Sequence, residues 1–239
     1  MWTRELLKTN AKRVLQHNYW RTFLVCLAAG VLTGGYNNGE KVTEEIVAEG
    51  GGFLAGLAAV IVAILAIVIA LVALGWGILG ANVLQVGWKR YMMENRLGDA
   101  PFDTLFSGFH GSYWNIVKAM FFTNLKIVLY CLCFIVPGII KAYEFYFVGY
   151  LLAENPDMEP ARAQQLSTLM TDGEKWNIFI LECSFFGWNM LSLVTFGISA
   201  LFVSPYYEAT MAELYAAMRA KAFALGYTDE QELGGFIQH

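Results

Sequence analysis

The chain has 239 residues, of which 57% are hydrophobic and only 15% charged, with a formal net charge of −4. Soluble domains carry about 25% charged residues, so the composition excludes an ordinary soluble domain and indicates an integral membrane protein. No basic face is interleaved with aromatics, which argues against a nucleic-acid partner, and the four cysteines, Cys26, Cys131, Cys133 and Cys183, all lie in apolar segments without a nearby histidine, the pattern of buried small hydrophobes rather than of a metal site or disulfide framework.

Residues 1–19 read as an amphipathic helix suited to a membrane surface, with Trp2, Leu6, Leu7, Val14 and Leu15 on one side and Arg4, Lys8, Lys12 and Arg13 on the other. A short apolar segment runs from Trp20 to Thr33. A basic stretch before such a segment also describes a signal peptide, but the long charged leader favours a first span. Residues 34–52 form a loop with four glutamates against the single Lys41, expected outside the cytoplasm. The strongest span is Phe53–Trp76, since about 20 apolar residues cross the hydrocarbon core. Its helical pattern extends toward Trp88, and Lys89, Arg90 and Arg96 end it.

The stretch "APFDTLFSGFHGSYWNIV" reads as an interfacial connector. A third apolar segment covers Lys118 to Val136, Pro137 and Gly138 break it, and a fourth runs from Ile139 to Ala153. Residues 154–175 read as a cytoplasmic amphipathic connector, with a helix beginning near Asp157 or Glu159 and Pro160 in its first turn. The fifth and sixth spans are Trp176–Thr195 and Phe196–Met218, the latter holding a second proline break at Pro205. The expected fold is an all-α transmembrane bundle of about six spans in one domain. If the Pro137 region is re-entrant, five spans remain.

With six spans, every Lys and Arg except Lys41, Lys126 and Lys141 falls on the side of the two termini, and the positive-inside rule makes that side cytoplasmic. Trp20, Trp88, Trp114 and Trp176 fall at the same interface.

Ionisable groups within apolar helices are costly and commonly mark either a polar site or a structural pair. The candidates are Lys126, Lys141, Glu144, Glu182 and Glu208. Lys141 and Glu144 are three apart and share a helix face, beside the Pro137–Gly138 break. Glu182 has Lys126 or Lys141 as conceivable partners across helices. Glu208 and Glu213 follow Pro205. Asn124 and Asn189 read as helix-to-helix hydrogen-bonding groups, and "GWGILG" (Gly75 to Gly80) as small residues for close helix approach rather than a nucleotide loop, because no strand precedes it. No serine lies near a histidine in sequence, no zinc-protease pattern occurs, and no cofactor or metal is expected.

The strings "LKTNAKRVLQHNYW", "LFSGF", "IVPGIIKAYEFYFVGYLLAENPDMEPARAQQLSTLM", "GEKWNIFILECSFFGW" and "LVTFGISALFVSPYYEATMAELY" resemble, in order, a bacterial integral membrane protein family known only as a domain of unknown function. The proline-glycine-isoleucine-isoleucine-lysine string and Glu154-Asn155-Pro156 are the most specific parts. Gly173-Glu174-Lys175 departs from the glycine-histidine-lysine expected there. The resemblance implies a multi-span helical membrane protein and no particular reaction. The expected role is non-enzymatic binding, transport assistance or membrane organisation in the bacterial inner membrane. The alternatives are a transporter or channel built on the intramembrane charges, or an intramembrane hydrolase. Expected partners are the lipid bilayer and, within it, a second copy or another membrane protein.

Overall fold

Hydrocarbon offers the backbone no hydrogen-bond partners, so a long apolar run must close its bonds internally as helix, even one rich in β-branched Val and Ile. Helix α1 (Phe53–Trp76) follows this rule. It continues through a π-helical turn (Gly77–Ala81) into α2 (Asn82–Leu97). The rod is 38 residues long from Val60 to Leu97, or about 57 Å at 1.5 Å per residue, nearly twice the roughly 30 Å of a hydrocarbon core. It runs nine residues past the end expected at Trp88. Its two halves differ. Val60, Ile69 and Val72 in α1 are exposed, whereas α2 buries Val83, Leu84, Val86, Tyr91, Met92 and Met93.

The computed structural model describes residues 4, 6–10, 53–98, 100–110, 112–194 and 198–236. The remainder of the surface helix, the segment Trp20–Thr33 and the loop 34–52 lie outside the described residues. Among those described, all regular structure is helical.

The expected interfacial connector is a packed element. A 3-10 helix (Phe102–Phe109) folds back along α2 and buries Leu105 completely. Gly87 permits this approach, because a Cβ there would stand 2.0 Å from the Leu105 carbonyl oxygen. Helix α3 (Tyr113–Cys133) begins five residues before the expected Lys118. The break that follows falls at Phe134, extended at φ −157° and ψ 140°, and not at Pro137–Gly138. Pro137 is instead the third residue of α4 (Ile135–Glu144), where a helix needs no backbone donor. The first new helical bond is Gly138 N–H to the Phe134 carbonyl, 3.2 Å. Gly138 lets the two arms of the α3–α4 hairpin touch: a Cβ there would meet Cys131 Sγ at 2.2 Å and Cys131 Cα at 2.7 Å.

The fourth apolar segment is interrupted too. After Glu144 the chain turns and restarts as α5 (Val148–Glu154). Ser167 explains the interruption: its hydroxyl donates to the Glu144 carbonyl at 2.7 Å and accepts from Phe147 N–H at 3.2 Å, replacing helical bonds with a side-chain bridge. Ser167 belongs to α6 (Pro160–Thr171), which buries Ala163, Gln164, Leu166, Ser167, Met170 and Thr171. α7 (Lys175–Val194) and α8 (Ile198–Ala224) complete the set. α8 runs unbroken through Pro205, so that proline is not a break. Pro205 is buried, and apolar helices tolerate proline where neighbours hold the chain. The chain leaves α8 through Gly226 (φ 68°), with Tyr227 N–H bonding back to the Ala222 carbonyl at 2.9 Å, a stop that needs a left-handed residue.

Among the described residues three helical stretches are long and apolar enough to cross a membrane: Val60–Leu97, Tyr113–Cys133 and Ile135–Glu154. The last contains the Ser167-bridged turn. The expected fifth and sixth segments correspond to α7 and α8.

Candidate functional site

A cavity of about 260 Å³ opens between α2, the α4–α5 turn and α8. Trp88, Lys89, Tyr146, Tyr150, Tyr207 and Glu208 line it. Lys89 lies ten residues beyond Leu79, about 15 Å further along the rod, where the exposed apolar surface has given way to packed side chains. Its Nζ stands 4.4 Å from the centre of the Tyr150 ring and 5.8 Å from that of Tyr146. Gly149 leaves space for the lysine, since a Cβ there would meet Lys89 Cδ, Cε and Nζ at 3.0 to 3.2 Å. Glu208 is the carboxylate whose field acts on this ammonium group, yet no ion pair joins the two among the described contacts.

A chain of hydroxyls links the cavity to Glu182. Tyr146 and Tyr207 share a hydrogen bond at 3.2 Å, and Tyr207 donates to Glu182 at 3.2 Å. Tyr143 donates to the other oxygen of Glu182. The partners of Glu182 are therefore tyrosines and not Lys126 or Lys141, because a phenol meets a lone carboxylate's hydrogen-bonding demand without adding a second desolvated charge. Two sequence-predicted residues, Glu182 and Glu208, are thus brought to one place. The sequence pattern places Lys89 only at a positive helix end. The spacing Tyr143, Tyr146, Tyr150, which a continuous helix would put on one face, is the available sign in the sequence of a polar interior.

The other predicted residues lie elsewhere. Lys141 and Glu144 do pair, at 2.5 Å, and Lys175 closes on the second oxygen of Glu144 at 2.7 Å. Lys126 donates to Gln164, which donates to Thr123 at 3.0 Å. Asn124 reaches Asn82 across helices at 3.4 Å as expected, whereas the side chain of Asn189 lies outside the described residues. Cys131, Cys133 and Cys183 are exposed rather than buried; they sit on outward apolar surface, which suits a small hydrophobe equally well. Gly75 and Gly77 meet nothing within 4 Å that a Cβ would touch, and the atoms nearest a Cβ on Gly80 belong to the ring of Trp76 in its own rod, so the second half of "GWGILG" forms the π-helical turn, which Tyr113 of α3 reaches by donating to the Leu79 carbonyl at 2.9 Å.

Beneath the cavity, Glu154-Asn155-Pro156 organises the chain's end. The Glu154 side chain is fully buried, accepts from Tyr215 at 2.8 Å and pairs with Arg219 at 2.8 Å. Arg219 also donates to the Leu233 carbonyl at 2.6 Å. Asn155 donates to the Glu232 carbonyl at 3.0 Å, and Asn115 donates to the Pro156 and Met158 carbonyls at 2.8 and 2.7 Å. Arg162 pairs with Glu232 at 2.7 Å. Its guanidinium hydrogen bond holds the Glu232 carboxyl below the usual carboxylate range. Arg96 closes on the buried Glu213 at 2.8 Å. Through these contacts the motif fastens the C-terminal segment to α5 and α8, which is a structural role.

A cation, a carboxylate and phenol hydroxyls thus surround one small cavity. No characterised protein and no solved structure shows significant similarity to the chain. The model of a protein family of unknown function, DUF975, matches residues 53–222, from the start of α1 almost to the end of α8. The chain therefore belongs to the DUF975 family.

Proposed function

We propose that the chain is a multi-pass integral membrane protein of the bacterial inner membrane, with both termini cytoplasmic, that acts by binding and not by chemistry. One observation carries this reading. Lys141, Glu144 and Lys175 close on one another and Lys126 on the neutral Gln164, while Lys89 and Glu208 face their cavity without closing on each other. Closed pairs do not furnish a hydrated path, so transport through Lys141 and Glu144 is the less supported alternative. The apolar circumference of α1 supports residence in lipid.

The test is a thermal-shift screen of small polar solutes on the full chain in detergent. A ligand of the native state raises Tm by mass action, and the expected hit is recovered chemically unchanged. Conversion of that solute by the wild type and not by Glu208→Gln would overturn the reading, as would a screen without any hit. Membranes carrying the full chain should retain it through alkaline carbonate washing.

A further inference from the structure

The cavity differs from the other charged sites in the core. Glu144, Glu154, Glu213 and Glu232 are each closed by a lysine or arginine at 2.5 to 2.8 Å. Lys89 and Glu208 face the same cavity from α2 and α8 without closing on each other. Lys89 rests on the Tyr150 ring instead, and Gly149 keeps that position vacant for it. Trp88 contributes a further unmet demand. Its indole Nε1 is, among the described residues, the buried side-chain polar atom that lacks a hydrogen-bond partner.

Charge and size together restrict the ligand. An anion alone would satisfy Lys89 and be repelled by Glu208. A cation alone would satisfy Glu208 and the tyrosine faces and be repelled by Lys89. A molecule bearing both charges a few ångströms apart meets both ends. The 260 Å³ of the cavity is below the roughly 300 Å³ at which drug-sized pockets begin, which suits a molecule about the size of a single amino acid.

We propose that this cavity binds a small zwitterion of amino-acid size, its carboxylate toward Lys89 and its ammonium toward Glu208 among the tyrosine rings. The assignment rests on the binding reading above and adds the ligand's class to it. Gln85, also at the wall, offers an amide to the ligand's remaining polar atoms.

The experiment uses the full chain in lipid nanodiscs, titrated by calorimetry with L-alanine, L-leucine and L-glutamine. L-leucine is compared with its two halves, isopentylamine, which lacks the carboxylate, and 4-methylpentanoate, which lacks the ammonium. At least one amino acid is expected to bind saturably, and loss of either charge from leucine to weaken binding about tenfold or more, because one buried charge is then left unmatched. In Lys89→Met the amine should bind as well as the zwitterion, and in Glu208→Gln the acid should. Gly149→Ala, which displaces Lys89 while leaving every charge in place, should weaken zwitterion binding without lowering Tm sharply. Equal binding of a half-molecule to the wild type overturns the ligand class and leaves the binding reading standing. No binding by any of the three amino acids overturns the ligand class as well, and the binding reading falls with it only if the thermal-shift screen is also blank.

Discussion

α1 and the core around Glu154 are both helical, yet opposite rules hold them. Among the described residues α1 is mostly exposed: Ile69 and Val72 are each 67% exposed. The tip of the α3–α4 hairpin is the same, with Leu132 at 76% and Phe134 at 74%. The core is the reverse. Tyr150 and Tyr215 stack at 4.9 Å, both buried, and the Glu154 carboxylate beside them has no exposed surface. Apolar surface in lipid has no hydrophobic driving force toward more apolar surface. The first region therefore needs only internal backbone bonds and a greasy exterior, whereas the second depends on each buried charge finding its partner.

The largest effect that sharpens this contrast is at Glu154. Removing one member of a buried ion pair leaves the other uncompensated, at a cost of about 3–5 kcal/mol. Glu154→Ala should lower the detergent Tm strongly and release the C-terminal segment that Arg219 holds through the Leu233 carbonyl. Val72→Ala in α1 should move stability by about 0.5 kcal/mol or less, as exposed substitutions do. Similar Tm losses in the two variants would break the comparison.

The first region is more legible in the sequence than the second for a physical reason. An apolar run announces itself by composition, so the helical class and the strongest span are readable from Phe53 to Trp76. Core partners are set by tertiary contacts that no local spacing encodes. Lys141–Glu144 is readable because it lies within one helix, at i and i+3. Lys175, the third member, joins from α7 and is not. Lys89 resembles a helix-ending cation because the long rod carries it beyond the apolar stretch, and only the approach of Tyr150 and Glu208 makes it part of a cavity. Proline also misleads: Pro137 begins a helix and Pro205 sits within one, while the break falls on an ordinary phenylalanine.

A smaller effect tests how tightly the hairpin arms meet. A Cβ on Gly138 would strike the backbone Cα of Cys131 as well as its sulfur, so trimming the cysteine cannot relieve it. Gly138→Ala should cost about 1–3 kcal/mol, the range of overpacked contacts. At Gly187 in α7 a Cβ meets nothing within 4 Å, so Gly187→Ala should be neutral or gain up to about 1 kcal/mol from helix propensity. Thermal denaturation of the pair reads the difference directly, and a neutral Gly138→Ala would mean that the arms separate in lipid.

The smallest effect concerns the outer fastening, where Arg162 holds Glu232 near the surface. The carboxyl is lowered when folded, chiefly by the hydrogen bond from Arg162. A lowered carboxylate contributes stability that is present above its unfolded value, near 4.3, and is lost as pH falls through the lower folded value. The C-terminal segment should thus stay equally docked from neutral pH down to about 5 and loosen progressively below about 4.3. The contribution of so accessible a pair is about 1 kcal/mol or less. Hydrogen exchange across residues 227–236, corrected for intrinsic rates, follows the docking. Arg162→Met should raise exchange at neutral pH and flatten the acid dependence, because the chief cause of the lowered Glu232 carboxyl is then gone. An unchanged acid profile in that variant would show that the Arg162–Glu232 clamp does not govern the loosening, and would move control of the tail away from this surface pair.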